Sequence, residues 1–196
     1  MTIGLDAEAP LAARPDGAGR RDAVLEAAAE LFADRGYDAV TMRQVAQAAG
    51  MLSGSLHHHF PSKDALFAEV QARALAALEA QVAGAAAAQS GPWARLGAAL
   101  GAHIRGVEGA RAALHAPAPA RREALARRLC ARRQDYEARI EALVAECPLR
   151  APDEAPLLRL FLLGAADRAA EAAPRDAAPE GLGIALAALA RRGAGA

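Results

Sequence analysis

The 196 residues predict an all-α protein. Alanine is by far the commonest residue, and it is the best helix former with no preference for strands. Apolar residues make up 54% of the chain and aromatics only 4%, so a core can be packed without staples, mostly from small and aliphatic side chains. Apolar positions recur at helical spacing along the chain, and no stretch alternates with the period of a credible strand.

Each element can be justified in order. Residues 1–19 carry acids early, lack an apolar segment, and are rich in Ala, Pro and Gly, so they are expected to be a disordered arm rather than a signal peptide. Val24, Ala27, Ala28, Leu31 and Phe32 predict a first helix over 21–35, closed by Gly36. Thr41 with Gln44 three residues later is a capping box for a short second helix that ends at Gly50. A third short helix runs from about Ser53 to Phe60, where Pro61 stops it. Ser62 caps a long fourth helix with Leu66, Phe67, Val70, Ala74 and Leu78 on one face.

Small and polar residues then predict a loop from Gly84 to Pro92, followed by helices at about 93–107 and 108–115 and a break at 116–120. A charged helix over about 121–146 has Leu125, Leu129, Tyr136, Ile140, Leu143 and Val144 as its apolar positions. Residues 157–173 are apolar enough to be buried on most sides, and a last helix follows the break at 174–181. The expectation is nine helices with no internal repeat.

Formal net charge is zero, but its distribution is uneven. Residues 1–70 hold 6 basic and 10 acidic side chains, while residues 95–133 hold 9 arginines and 2 glutamates. A rule equating basic charge with nucleic acid would select the second segment, where an arginine-rich solvated helix face is the plainer reading. Cys130 and Cys147 lie outside any paired motif and read as reduced thiols. No apolar run is long enough to span a membrane. A cytoplasmic protein is expected.

The three short helices of residues 21–60, with a tight glycine turn between the second and third, form a helix-turn-helix pattern, whose last helix enters the DNA major groove. Beyond the pattern, residues 20–67, "RRDAVLEAAAELFADRGYDAVTMRQVAQAAGMLSGSLHHHFPSKDALF", resemble without a gap the N-terminal domain of TetR-family transcriptional regulators. The tail from Leu157 more weakly resembles the last two helices of a subgroup, some members of which respond to acyl-CoA or steroid-derived CoA thioesters. The two matches cover less than half of the chain. The resemblance implies a nine-helix TetR-like fold: a helix-turn-helix DNA-binding domain over 20–66, and an effector-binding and dimerisation domain over 67–196.

On these positions the DNA-binding candidates are Thr41, Arg43, Leu52, Ser53, Gly54, Ser55, His57, His58 and Lys63. Thr41 caps the second helix and has a hydroxyl for phosphate, and Arg43 sits on that helix's first turn. Lys63, the single lysine, stands where free backbone N–H groups already favour an anion. Successive helical residues lie about 100° apart, so His57, His58 and His59 cannot share one metal. His57 replaces the family's common tyrosine, and His59 is expected partly inside the domain. Leu52 replaces a common serine cap, so Ser53 is expected to take the N-cap role. An imidazole at 57 gains charge as pH falls, so operator affinity is expected to rise with acidity.

Residues 80–196 contain no nucleophile–base pair, glycine-rich phosphate loop or paired-carboxylate motif, so an enzyme is not expected, and no metal or cofactor is implied. His103, Tyr136, Asp167 and Arg168 are the polar candidates for orienting a small-molecule effector, such as an acyl-CoA or another hydrophobic ligand. Leu158, Phe161, Leu162, Ala165, Ala169, Ile184, Leu186 and Leu189 offer more apolar surface than a monomer comfortably covers and are the candidates for a homodimer interface. The reading is a ligand-responsive repressor of a palindromic double-stranded operator. Its alternative, favoured by Leu52, His57 and the acidic N-terminal balance, is a small-molecule-binding dimer that has lost operator binding and acts through protein partners.

Overall fold

A computed structural model describes residues 17–114, 123–172 and 178–194. Within them the chain forms α1 (Gly17–Ala39), α2 (Met42–Ala48), α3 (Ser53–His59), α4 (Lys63–Ala87), α5 (Pro92–Leu114), α6 (Glu123–Ala145), α7 (Ala155–Ala172) and α8 (Pro179–Ala194), with a single 3-10 turn at Pro152–Glu154 before α7. No strand occurs among the described residues.

The N-terminal core is built by α1, α2, α3 and the first turns of α4. Val24, Leu25, Ala28 and Phe32 from α1 meet Val45 and Ala46 from α2, Leu56 from α3, and Leu66, Phe67 and Val70 from α4. Phe32, Tyr37 and Phe67 close it as an aromatic cluster, with Phe67 edge-on to the other two at 4.9 and 4.7 Å. Gly36 adopts φ +75°, a conformation that costs glycine little, and kinks α1 there. α1 begins at Gly17, so three residues expected in the arm are helical, and residues 1–16 lie outside the described part.

The fourth helix continues past its first core. Leu75, Leu78, Val82 and Ala86 pack against Ala99 and Ala102 of α5, Tyr136 and Ile140 of α6, and Leu163 of α7. A third cluster joins Leu96, Leu100 and Ile104 of α5 to Val144, Leu162, Ala166, Ala187 and Ala190. The α5–α8 seam is so close that a Cβ added at Gly183 would stand 2.2 Å from Gly101 N and 2.5 Å from Gly97 O.

Four expectations need correction. There are eight α-helices rather than nine among the described residues, because α5 runs unbroken through position 108. The loop expected at 84–92 shrinks to the few residues after Ala87: Gly84 stays helical because the buried contacts of Val82 and Ala86 carry the helix across it. On α4 the buried position is Leu75, with Ala74 half-buried. Finally, α7 is not buried on most sides: Leu157, Leu160 and Phe161 face solvent. The break at 116–120 lies outside the described residues, as do the side chains of Leu125 and Leu129.

Candidate nucleic-acid interface and effector site

Two caps and one turn set the geometry of the helix-turn-helix. Thr41 Oγ1 accepts from Gln44 N at 3.3 Å, while Thr41 N donates to Gln44 Oε1 at 2.8 Å, which completes the capping box of α2. The Thr41 hydroxyl also donates to Gln44 Oε1 at 2.9 Å, so a phosphate would compete with that bond. Gly50, at φ +65°, makes the turn, and Met51 N donates back to Ala46 O at 2.9 Å. The N-cap of α3 is Leu52, not Ser53: its backbone is extended, its carbonyl accepts from Ser55 N and Leu56 N, and no side chain caps the helix. Ser53 is already helical and stands one position too late to cap. A polar N-cap here would be worth about 1 kcal/mol.

Leu56 is the one buried residue of α3. Phe60, the C-cap, is buried under the Arg21 guanidinium at 4.7 Å from its ring centroid, and Arg21 also pairs with Glu69 of α4. That hydrogen bond raises the Arg21 pKa further above its ordinary value. Arg21 thereby ties α1, the end of α3 and α4 together. The remaining candidates surround this anchor. Leu52, Ser53, Gly54, Ser55, His57 and His58 are exposed, His59 is half-buried, and Arg43 is exposed on α2. Lys63 lies 4.2 Å over the Tyr37 ring and donates to Asp38 O at 3.3 Å, while Tyr37 bonds Asp64. Its ammonium is therefore held at the junction of α1 and α4. Among the described residues no group of three His, Cys, Asp or Glu side chains could hold a metal ion.

In the second half, three of the four effector candidates converge from three helices. His103 of α5 is 4% exposed; its Nδ1 lies 2.6 Å from the Tyr136 hydroxyl of α6 and its Nε2 lies 3.0 Å from Asp167 Oδ1 of α7. An ionised carboxylate can only accept, so Nε2 carries the proton toward Asp167. In the neutral ring Nδ1 is then an acceptor, and Tyr136 donates to it. The phenol oxygen keeps its lone pairs for a further donor. Burial, then the charges of Asp167 and Glu79, push the Tyr136 hydroxyl far above its ordinary pKa. Tyr136 also lines a cavity of about 260 Å³ with Glu79, Val82, Ala86, Arg95 and Leu143.

Arg168 is not part of this group. Its side chain is exposed and pairs with Glu171 at 2.8 Å, because it points away from the α5–α6–α7 junction. Three arginines of the 95–133 segment pair within the chain: Arg95 with Glu146, Arg105 with Glu180 and Arg133 with Glu137. Cys147 is buried, its Sγ 3.5 Å from Leu143 O, and burial with the Glu146 charge pushes its thiol up to about 11.

On α7 and α8, five large apolar side chains are left in solvent: Leu157, Leu160, Phe161, Ile184 and Leu189, each between 53% and 69% exposed. A groove of about 560 Å³ between the two helices is lined by Leu157, Leu158, Phe161 and Leu189. Leu162, an interface candidate, is instead fully buried in the chain's own core, one residue round the helix from the exposed face. Leu158, Ala169 and Leu186 are half-buried against the same core. Ala165 is half-buried as well. Sequence reasoning missed Leu157 and Leu160, whose signal was the excess of apolar residues all round α7. Among the described residues no helix is long and apolar enough to cross a membrane.

Residues 24–70, which hold this helix-turn-helix, match the family described as bacterial regulatory proteins, tetR family. The solved structure of the ketosteroid transcriptional regulator KstR2 of Mycobacterium tuberculosis is 25% identical, covers 92% of this chain and 96% of its own, and superposes with a TM-score of 0.64. Over residues 24–70 the chain is TetR-like. The HTH-type transcriptional repressor KstR2 of Mycolicibacterium smegmatis is 57% identical over 53 residues, which are 27% of this chain. That stretch is only 26% of the repressor's length. The TetR family transcriptional regulator PfmR of Thermus thermophilus is 25% identical, covers 86% of this chain and 97% of its own, with a TM-score of 0.68. These family and relative names describe regulators, none of them an enzyme.

Proposed function

We propose that the chain is a homodimeric DNA-binding repressor that a hydrophobic small molecule releases from a palindromic operator. The observation that carries this reading is α3, which buries Leu56 alone and turns Ser53, Ser55, His57 and His58 to solvent beside a capped α2. The identity to a named repressor over the stretch that holds the reading head supports it. In this reading Ser53, Gly54, Ser55, His57 and His58 face base edges and phosphates, and Thr41, Arg43 and Lys63 hold the backbone. The exposed face of α7 and α8 packs on a second copy, which sets the two α3 helices one helical turn of DNA apart, about 34–36 Å. The His103–Tyr136–Asp167 relay, beside an apolar cavity, orients an effector that offers a hydrogen-bond donor to the phenol oxygen. An effector that binds one spacing of the reading heads better than the other shifts the dimer away from DNA.

The test is a gel shift with the DNA upstream of the protein's own gene at low salt, with and without acyl-CoA or steroid-derived CoA thioesters. Retardation that the thioester relieves is expected. No retardation at low salt overturns the repressor reading. It would favour a dimer acting through protein partners instead, a second reading that the acidic balance of residues 1–70 supports. With few cations in the head, the slope of log K on log salt is shallow, well short of that of a protein making ten ion contacts.

A further inference from the structure

Leu52 serves neither the core nor the helix it opens. It is 79% exposed, whereas the other strongly exposed large apolar side chains among the described residues all sit on α7 and α8. It occupies the N-cap of α3 without a side-chain bond, a position where a hydroxyl or carboxylate would satisfy a free N–H. The helix behind it reads SGSLHHH. That sequence lacks Arg, Lys, Asn and Gln, the side chains that grip guanine or adenine with two bonds, and lacks the Asp and Glu that accept from cytosine. Ser53, Ser55, His57 and His58 supply only single polar contacts. The base-edge group that none of them matches chemically is the thymine 5-methyl, which is read by apolar contact. In helix-turn-helix docking the N-terminal end of the second helix faces the base edges, and Leu52 stands at that end.

We infer that Leu52 packs on a thymine 5-methyl group in each half-site, so that one symmetric A·T pair of the operator is specified by apolar contact. This rests on the DNA-binding reading above. Burying one methyl-sized group corresponds to about a fourfold gain in affinity, hence about fifteenfold for the two half-sites of a dimer.

The experiment uses the full chain and a duplex selected by it from a randomised pool. Each thymine is replaced in symmetric pairs by uracil, which removes the 5-methyl alone, and affinity is read by fluorescence anisotropy at fixed salt. One pair is expected to lose about tenfold or more for the wild type. Leu52→Ala binds the thymine duplex more weakly and shows no loss at that pair, while uracil effects elsewhere are unchanged. Leu52→Ser, which restores a polar cap, also loses the discrimination while melting no lower than wild type, which separates contact from folding. Equal affinity for thymine and uracil at every pair, or discrimination that survives in Leu52→Ala, overturns the inference while leaving the repressor reading intact. If no duplex is selected or bound, the DNA-binding reading itself fails and takes the inference with it.

Discussion

Gly183→Ala and Gly181→Ala make the same chemical change two residues apart on α8, and the structure gives them opposite signs. A Cβ at position 183 would lie 2.2 Å from Gly101 N, 2.5 Å from Gly97 O and 2.6 Å from Gly101 Cα. All three are backbone atoms of α5, which cannot swing aside as a side-chain tip can. Restoring ordinary contact at about 3.5 Å requires the helices to part by about 1 Å, which loosens the packing of Leu96, Leu100 and Ala187 around the seam. Overpacking of this kind costs about 1–3 kcal/mol, and two rigid backbones place it at the upper end. Alanine returns about 1 kcal/mol of helix propensity, so the net loss is about 2 kcal/mol. At Gly181 the new Cβ meets nothing within 4 Å, so only the propensity gain remains, up to about 1 kcal/mol. Urea unfolding followed by far-ultraviolet circular dichroism, with both variants at one protein concentration, should separate their midpoints by about 1 M or more. If the two variants unfold together, or Gly183→Ala is the more stable, the close approach of α5 and α8 is wrong.

Four further outcomes are expected. Tyr136→Phe leaves His103 Nδ1 buried without its donor, so the chain loses about 1–3 kcal/mol in the same assay and the effector response weakens beyond the loss of fold; an unchanged thioester dose–response would remove the relay from the site. Phe161→Glu places a charge in the exposed α7–α8 face and should turn a dimer into a folded monomer by light scattering, whereas the same change at buried Leu162 should unfold the chain. His57→Phe should weaken operator binding, because it removes an exposed polar side chain from α3; unchanged affinity by gel shift would exclude His57 from the DNA contact. Cys147, with its thiol held up to about 11 by burial, is protonated at pH 8 and should escape iodoacetamide until the fold opens; peptide mass spectrometry showing labelling before unfolding would contradict its burial.

The N-terminal half is legible in the sequence because its elements are bounded by local chemistry. The Thr41–Gln44 box, the Gly36 and Gly50 breaks, the Pro61 stop and the Ser62 cap each act within a few residues, and each appears where expected. Leu52 departs from that pattern because a helix can start on backbone geometry alone when tertiary contacts at Leu56 and Phe60 hold it. In the second half the deciding interactions are long-range. Nothing near Gly84 reports that Val82 and Ala86 are buried by another helix. An α7 apolar all round offers no period to tell buried Leu162 from exposed Phe161. His103, Tyr136 and Asp167 each stand out as polar groups on apolar faces, but their meeting depends on how α5, α6 and α7 cross, which spacing along one helix cannot report.

The fourth helix belongs to two cores at once. Its 25 residues make a rod of about 37 Å, clamped at one end by Leu66, Phe67 and Val70 and at the other by Val82 and Ala86. A rod held so tightly transmits angle rather than bending. If its far end tilts by about 5°, the near end, which follows α3 after residues 60–62, is displaced by about 3 Å over that length. That approaches the rise of one base pair in DNA. Anything that wedges Val82 and Ala86 away from α6 is therefore amplified into a mismatch of register, without any residue of the N-terminal core changing its neighbours.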